Sequence, residues 1–480
     1  MYSKFGQFID GKWQPSEKKE TYDVINPATE ELIGKASKAT KADVLKALKS
    51  AEKGFQIWKK TPAWKRSYKI RKIADLMRER KKELAKWLAL EVGKPLVEGE
   101  GEVGGGADIF EWNAEETKRI FGQTVESRFE DTRVQVIYQP VGVVAALIPW
   151  NFPIILASRK ISTALAAGCS VIVKPDVITP GAVMELMNIM NDAGIPPGVV
   201  NLLSGDPEEV SNELISSNIV KKVSITGSTR VGKLILKKAA DKVQRVTMEL
   251  SGHAPFIVFE DSNIDKVTDM AITSKYRNNG QVCISPSRLY IHESKKNEFA
   301  KTFVEKTKKL KLGDGMKEGV NLGPITTKKR LEEIEKLVEK TKKEGGKVLY
   351  GGKRPAGFNK GYFYEPTIID NVQDDFTVMT EEPFGPITAI TTFKNFDEVI
   401  KRANKHDCGL AGYVCTNSME KAFKASEQLE TGVVAVNTPV VATAETPFGG
   451  IKQTGYGREG GTVGIKDYLN IKYTHLGLSG

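Results

Sequence analysis

Cys283 ends the run Tyr276-Arg277-Asn278-Asn279-Gly280-Gln281-Val282 and is one of four cysteines in the chain. A polar, glycine-containing run delivers a side chain to a cleft, where a thiolate is a nucleophile. Free cysteine is more often a small buried hydrophobe, and the local run leaves both readings open. Cys169 follows the Ala-rich stretch around Ala164, Ala166 and Ala167, and Cys415 closes an apolar run from Ala411. Both read as core thiols, and Cys408 is read the same way.

Asn151 and Glu249 are the other residues with chemical promise. Asn151 lies in Ile148-Pro149-Trp150-Asn151-Phe152-Pro153. Bracketing prolines make a rigid turn, and such a turn can also aim an amide N–H at a developing negative charge. Glu249 is a lone carboxylate in Met248-Glu249-Leu250-Ser251-Gly252. Surface exposure is the plain reading. Partial burial would raise its pKa toward neutrality and suit a general base. Val173-Lys174-Pro175 puts a lysine at a strand end, either solvated or set against ribose and phosphate oxygens. Thr226-Gly227-Ser228-Thr229-Arg230-Val231-Gly232-Lys233 reads as strand, turn and helix, an anion site at a helix N-terminus. It nearly matches a P-loop, but Leu234 stands where the magnesium-holding hydroxyl belongs, which sets triphosphate hydrolysis aside. A strict G-x-G-x-x-G is absent too. Glu381 to Pro386 and Pro447 to Gly457 are turn-rich loops, weak signals on their own.

Secondary structure must bring these runs together. Residues 1–60 read as short strands and turns, with Asp10-Gly11 and Asn26-Pro27 as turn signals. Helical spacing of Ile70, Ile73, Met77, Leu84 and Leu88 predicts one helix from Trp64 to Val92, stopped at Gly93. A second long helix is expected over Lys94–Phe121, then an alternating strand over Thr132–Tyr138. Apolar runs at Val141–Ile148, Ser170–Val173, Val199–Leu203 and Val223–Thr226 alternate with helical stretches at Ser158–Ala167, Gly181–Ala193 and Glu208–Ser217. Buried strands alternating with helices predict a parallel α/β sheet, which binds ligands at the carboxyl ends of its strands. A second α/β unit begins near Ala254–Val258 and carries helices around 296–311 and 328–344. The tail offers one more strand, Tyr468–Tyr473.

The chain of 480 residues is long enough for two or three domains, and 40% hydrophobic with 27% charged residues is ordinary globular composition. The net charge is +11, but the lysine pairs are spread along the chain, most of them beside glutamates. They read as a solvated surface and not as a nucleic-acid face. Met1 to Asp10 has no apolar secretory core, and no window reaches the roughly 18 apolar residues of a membrane helix. Four unpatterned cysteines suit a reducing cytoplasm. Scattered histidines and the lack of a C-x-x-C pair point to no metal.

Taken together and in order, Pro149-Trp150-Asn151-Phe152-Pro153, Glu249-Leu250-Ser251-Gly252, Gly280-Gln281-Val282-Cys283 and Glu382-Pro383-Phe384-Gly385-Pro386 resemble the aldehyde dehydrogenase superfamily across nearly the whole chain. The motifs are closest to succinic semialdehyde dehydrogenase-like members. The resemblance implies a Rossmann-like NAD(P)-binding domain over 1–121 and 142–252. It implies a second α/β catalytic domain over 253–450, and oligomerisation strands over 122–141 and 464–480 that form a homodimer or homotetramer. It implies that Cys283 attacks an aldehyde, that Asn151 and the Cys283 N–H hold the oxyanion, and that Glu249 activates water against the thioester. Family members that pass the acyl group to coenzyme A tend to lack that base, so the product is a free acid. Cofactor contacts fall to Trp150, Lys174, Asp176, Val177, Gly227, Ser228, Gly232, Leu250, Glu382 and Phe384.

Val177 stands where many NAD-preferring members have glutamate, and Asp176 next to it repels a 2′-phosphate, so NAD+ and NADP+ both stay open. Ser251 replaces a glycine. Ser285 stands where some relatives carry a second cysteine, so their redox disulfide is not expected. Arg119 and Arg277 fall where semialdehyde-oxidising members place arginines for a distal carboxylate, with Phe152, Ile284 and Thr443 as further substrate contacts. The plainer reading pairs Arg119 with Glu115 or Glu116. A carboxylated semialdehyde such as succinic semialdehyde is the expected substrate. Lactaldehyde, glycolaldehyde or a broad aldehyde range is the alternative, and a non-catalytic family member the distant one.

Overall fold

The computed structural model describes residues 2–478. Met1, at the start of the expected first domain, and Ser479 and Gly480, at the end of the expected tail segment, lie outside the described residues.

Two seven-stranded sheets dominate the molecule. The first runs in the order Arg245–Glu249, Val220–Thr226, Val143–Leu147, Ser170–Lys174, Val200–Leu202, Gln7–Ile9, Lys12–Gln14. Its first five strands are parallel, and the last two form an antiparallel edge hairpin. Asp10 (φ 55°) and Gly11 (φ 75°) make the two-residue turn of that hairpin, a conformation that suits their types. Helices cover both faces, so Val143–Leu147 and Ser170–Lys174 are buried at every position.

The second sheet runs Lys347–Tyr350, Thr367–Asp370, Ile387–Phe393, Pro286–His292, Ala254–Val258, Ala411–Cys415, Val433–Val436. Only the first pair is antiparallel. A third sheet pairs the tail strand Leu469–Gly477 with Thr132–Pro140, and that with Gln123–Val125.

The connection between the large sheets sets up the site. Glu249 ends the edge strand of the first sheet, and Ala254 begins a central strand of the second. The carboxyl edge of one sheet therefore faces the amino edge of the other. Residues leaving Val143–Leu147, Val220–Thr226 and Arg245–Glu249 meet residues entering Pro286–His292, among them Cys283.

Local structure departs from the sequence expectations in three places. Residues 41–58 are a helix, not strands and turns. Thr40 accepts from the Asp43 N–H while the Asp43 carboxylate accepts from the Thr40 N–H. This capping box was legible, and the helix buries Val44, Ala47, Leu48 and Ala51. The expected Trp64–Val92 helix is two, Ala63–Glu79 and Lys81–Glu91, broken at Arg80 (φ −96°, ψ 18°). The break lets each half turn its own apolar stripe into the core, Ile70 to Met77 in one and Leu84 to Leu88 in the other. The expected Lys94–Phe121 helix spans Leu96–Glu116 and closes in a single 3-10 turn, Thr117–Arg119. No helix among the described residues is long and apolar enough to cross a membrane.

Candidate active site

Cys283 and Asn151 lie where two cavities meet. One, of about 300 Å³, is lined by Phe152, Arg159, Arg277, Ile284, Thr443 and Phe448 among others. The other, of about 410 Å³, is lined by Trp150, Gly227, Ser228, Glu249, Glu382 and Phe384 among others.

Asn151 is held by its neighbours in sequence. Pro149 follows the buried strand, and Pro153 is the first residue of the Pro153–Ala167 helix, where a missing N–H costs nothing. The side chain is buried, and its Nδ2 donates to the Gln281 carbonyl at 3.1 Å. A primary amide has two N–H donors, so one remains. Cys283, two residues after that carbonyl, is half-buried and forms no disulfide. Burial and the nearby Glu249 carboxylate push its thiol well above the ordinary value.

Glu249 is 2% exposed. Burial raises its pKa to about 7, against the lowering effects of the Cys283 thiol and the Lys160 ammonium. The thiol and the Thr226 hydroxyl face it, yet neither carboxylate oxygen makes a well-formed hydrogen bond. A carboxylate in this state takes a proton readily near neutral pH. Behind it Lys160 pairs with Glu459 at 2.5 Å and donates to Thr226 Oγ1 at 2.8 Å. The sequence reading missed both residues. Two adjacent cations, Arg159 and Lys160, inside an otherwise buried helix were the available signal.

The second cavity has the walls a dinucleotide needs. Gly227 donates its N–H to the Glu249 carbonyl at 3.0 Å, and Ser228 caps the Thr229–Ala240 helix. That helix N-terminus supplies free N–H groups and a positive field. A Cβ on Gly232 would stand 2.5 Å from Leu250 Cδ2, so Gly232 lets the helix lie directly on Leu250, a wall residue. Trp150 and Phe384 meet edge to face at 5.5 Å. Phe384 has φ 40°, and Arg330 holds this loop by donating to the carbonyls of Glu382 (3.2 Å), Pro383 and Phe384 (3.3 Å). Arg330 was also missed, because no local run marks it. Glu382 accepts from the Gly252 N–H at 3.4 Å, and burial raises it to about 8. Lys174, Asp176 and Val177 follow the neighbouring strand and lie outside the walls of this cavity. Lys174 is buried with Nζ on its neighbour's carbonyl, Pro175 O, at 2.9 Å.

Arg277 lies on the wall of the first cavity with its guanidinium 4.6 Å from the Phe152 ring centroid. Arg119 does not, which corrects its expected substrate contact. It is half exposed and pairs with Glu116 at 3.0 Å, the short-range ion pair its position in a helical turn favours. Arg159 is the second guanidinium on the wall. It is 3% exposed, and its two hydrogen bonds, to the carbonyls of Thr443 and Glu459, are both long at 3.4 Å. Burial lowers its pKa, against the raising effects of the nearby Glu459, Glu249 and Cys283.

Comparison with known proteins identifies the family. Residues 13–474 match the aldehyde dehydrogenase family. The chain is 41% identical to the glutarate-semialdehyde dehydrogenase of Pseudomonas putida over 97% of its own length and 96% of that protein. It is 39% identical to the NADP(+) succinate-semialdehyde dehydrogenase of Escherichia coli, over 98% and 97%. The crystal structure of a succinate-semialdehyde dehydrogenase from Burkholderia pseudomallei superposes with a TM-score of 0.97 at 38% identity, covering 98% of each chain. The chain belongs to the aldehyde dehydrogenase family and oxidises an aldehyde to the carboxylic acid with NAD(P)+.

Proposed function

We propose that this enzyme acts on a carboxylated semialdehyde through a covalent Cys283 intermediate. The substrate class rests on one observation: Arg159 and Arg277 share the wall of the cavity that ends at Cys283. Two guanidiniums suit a carboxylate, because each offers paired N–H donors in a planar fork.

Each step follows from the groups in place. Glu249 takes the Cys283 proton, and the thiolate sulfur adds to the aldehyde carbon. The free Asn151 N–H and the Cys283 backbone N–H receive the oxyanion, a donor pair of which each member is worth roughly 3 kcal/mol of barrier. Bound NAD(P)+ supplies the acceptor for the hydride that leaves the same carbon. Glu249 gives that first proton up to solvent, and the resulting Cys283 thioester is then attacked by water whose proton passes to the regenerated Glu249 carboxylate. The C–S bond then breaks, releasing the acid and the thiolate. Trp150, Gly227, Ser228, Leu250, Glu382 and Phe384 hold the cofactor on its side of Cys283, Glu382 at the nicotinamide ribose. Gly232 lets the helix seat there, and Lys174, with Asp176 and Val177 beside it, serves the adenosine ribose. Phe152, Ile284 and Thr443 complete the aldehyde side.

The first sheet with its helices is the cofactor domain (1–121 and 142–252), and the second the catalytic domain (253–450). The exposed apolar residues Ile137, Ile471 and Tyr473 on the third sheet support self-association through 122–141 and the tail as a homodimer or homotetramer. Four free thiols suit a reducing, cytoplasmic setting.

The test is kcat/KM for succinic, glutaric and 2-oxoglutaric semialdehydes against glycolaldehyde and lactaldehyde, each with NAD+ and NADP+. The carboxylated substrates are expected to exceed the hydroxyaldehydes by at least tenfold. Equal values across the panel would remove the carboxylate from the reading.

A further inference from the structure

We infer that the buried Lys94–Glu102 ion pair is a positioning device for Asn151. It fixes the amide donor against the loop that carries Cys283. This rests on the reading of Asn151 as an oxyanion donor.

Lys94 and Glu102 are both fully buried and pair through Nζ and Oε2. Their remaining capacity is directed at one short segment. Lys94 Nζ donates to the Asn151 carbonyl at 3.0 Å and lies 3.8 Å from the Phe152 ring centroid. Glu102 Oε1 accepts the N–H groups of Ile154 (2.9 Å) and Ile155 (3.3 Å), the first free donors of the helix that Pro153 begins. One ion pair thus grips residues 151, 152, 154 and 155, and the only residue it skips is a proline.

The grip extends to the nucleophile loop. Asn278 Nδ2 donates to the same Asn151 carbonyl at 3.1 Å and reaches the Gln281 carbonyl at 3.3 Å. Gln281 O is also the acceptor for Asn151 Nδ2. Asn278 is held in the left-handed region (φ 46°, ψ 38°), a conformation asparagine tolerates, with its N–H on Glu98 Oε2 at 2.8 Å. Both the main-chain carbonyl and the side-chain amide of Asn151 are therefore tied to the approach to Cys283. A buried ion pair is weak support for stability, since apolar residues of like volume often do as well. Its use here is in orientation, because a donor aimed off the oxyanion loses its effect.

Coupling to Asn151 is what a general structural role would not produce. The experiment is a double-mutant cycle on kcat at saturating cofactor, with Asn151→Ala, Lys94→Met and both together. Asn151→Ala is expected to cost about 10²–10³-fold. Lys94→Met is expected to cost at least tenfold in kcat, with the NAD(P)+ Kd within twofold of wild type. The double variant should then fall within threefold of Asn151→Ala alone, because a misplaced donor and a missing donor are one loss. Lys94→Met leaves Glu102 unpaired. If that variant does not fold, Lys94→Met/Glu102→Gln takes its place, since a neutral amide still accepts from Ile154 and Ile155. Losses that multiply in the double variant would overturn the inference, as would a wild-type kcat in the Lys94 variant. A wild-type rate in Asn151→Ala would instead overturn the donor role beneath it, and the inference with it.

Discussion

The two cavities that meet at Cys283 are built in different ways. The side proposed for the cofactor is built mainly from turns at the ends of parallel strands, Pro149-Trp150 after one, Gly227-Ser228 after another and Glu249-Leu250 at a third, and is closed by Arg330 and the loop of Glu382 and Phe384. The aldehyde side consists of side chains from separate elements: Arg159 inside a helix, Arg277 in a 3-10 turn, and Thr443 and Phe448 in a long loop. Strand-end turns are set by short runs of sequence, whereas a wall of scattered side chains is set by tertiary packing. The first kind of site is therefore fixed by topology, and the second is free to vary in what it binds.

That difference gives an order of expected effects. Cys283→Ala removes the group both sides serve and should lower kcat by about 10⁴-fold or more, with cofactor binding retained, as read by the 340 nm assay and by nucleotide titration. Glu249→Gln should form its one equivalent of NAD(P)H more slowly than wild type, because Cys283 loses its base, and then stall at the thioester. A steady rate equal to wild type would take the base role from Glu249. Arg277→Leu and Arg159→Leu act on one side only. Each should lower kcat/KM for a carboxylated semialdehyde by about 10–100-fold, the 1.5–3 kcal/mol of a charge-assisted hydrogen bond, and spare an uncharged aldehyde. Arg119→Ala should change neither substrate by more than about twofold, since Arg119 is half exposed and pairs with Glu116 away from the aldehyde cavity.

Acidity offers a further handle on the shared centre. In the proposed mechanism ionised Glu249 is the active form, and burial raises its pKa to about 7. Thioester hydrolysis should therefore rise with pH through about 7 and level off above it. Below that point it should fall roughly tenfold per unit, as single-turnover measurements would read. In Glu249→Gln this limb should vanish.

The same contrast explains what the sequence disclosed. The parallel strands of the first sheet, the opening strand of the second, most helices before residue 255 and the strand-end turns follow from apolar runs and their periods, which are local properties. The Lys41–Trp58 helix was missed although Thr40 and Asp43 announce its start. Arg119 was expected at the substrate because it falls where semialdehyde-oxidising relatives place an arginine, but only packing shows that Arg159 reaches the cavity. Lys160 was signalled only by its place beside Arg159, and Glu459, Lys94, Glu102 and Arg330 were beyond reach. Each acts through a partner dozens to hundreds of positions away or through a backbone carbonyl, and no periodicity records such a contact.

The most direct measurement is the ratio of kcat/KM for succinic semialdehyde to that for butanal, an uncharged aldehyde of the same chain length, in wild type and in Arg277→Leu. If the aldehyde cavity receives a carboxylate, the ratio falls at least tenfold in the variant, through the semialdehyde value alone. An unchanged ratio, or an equal loss on both aldehydes, would contradict the account.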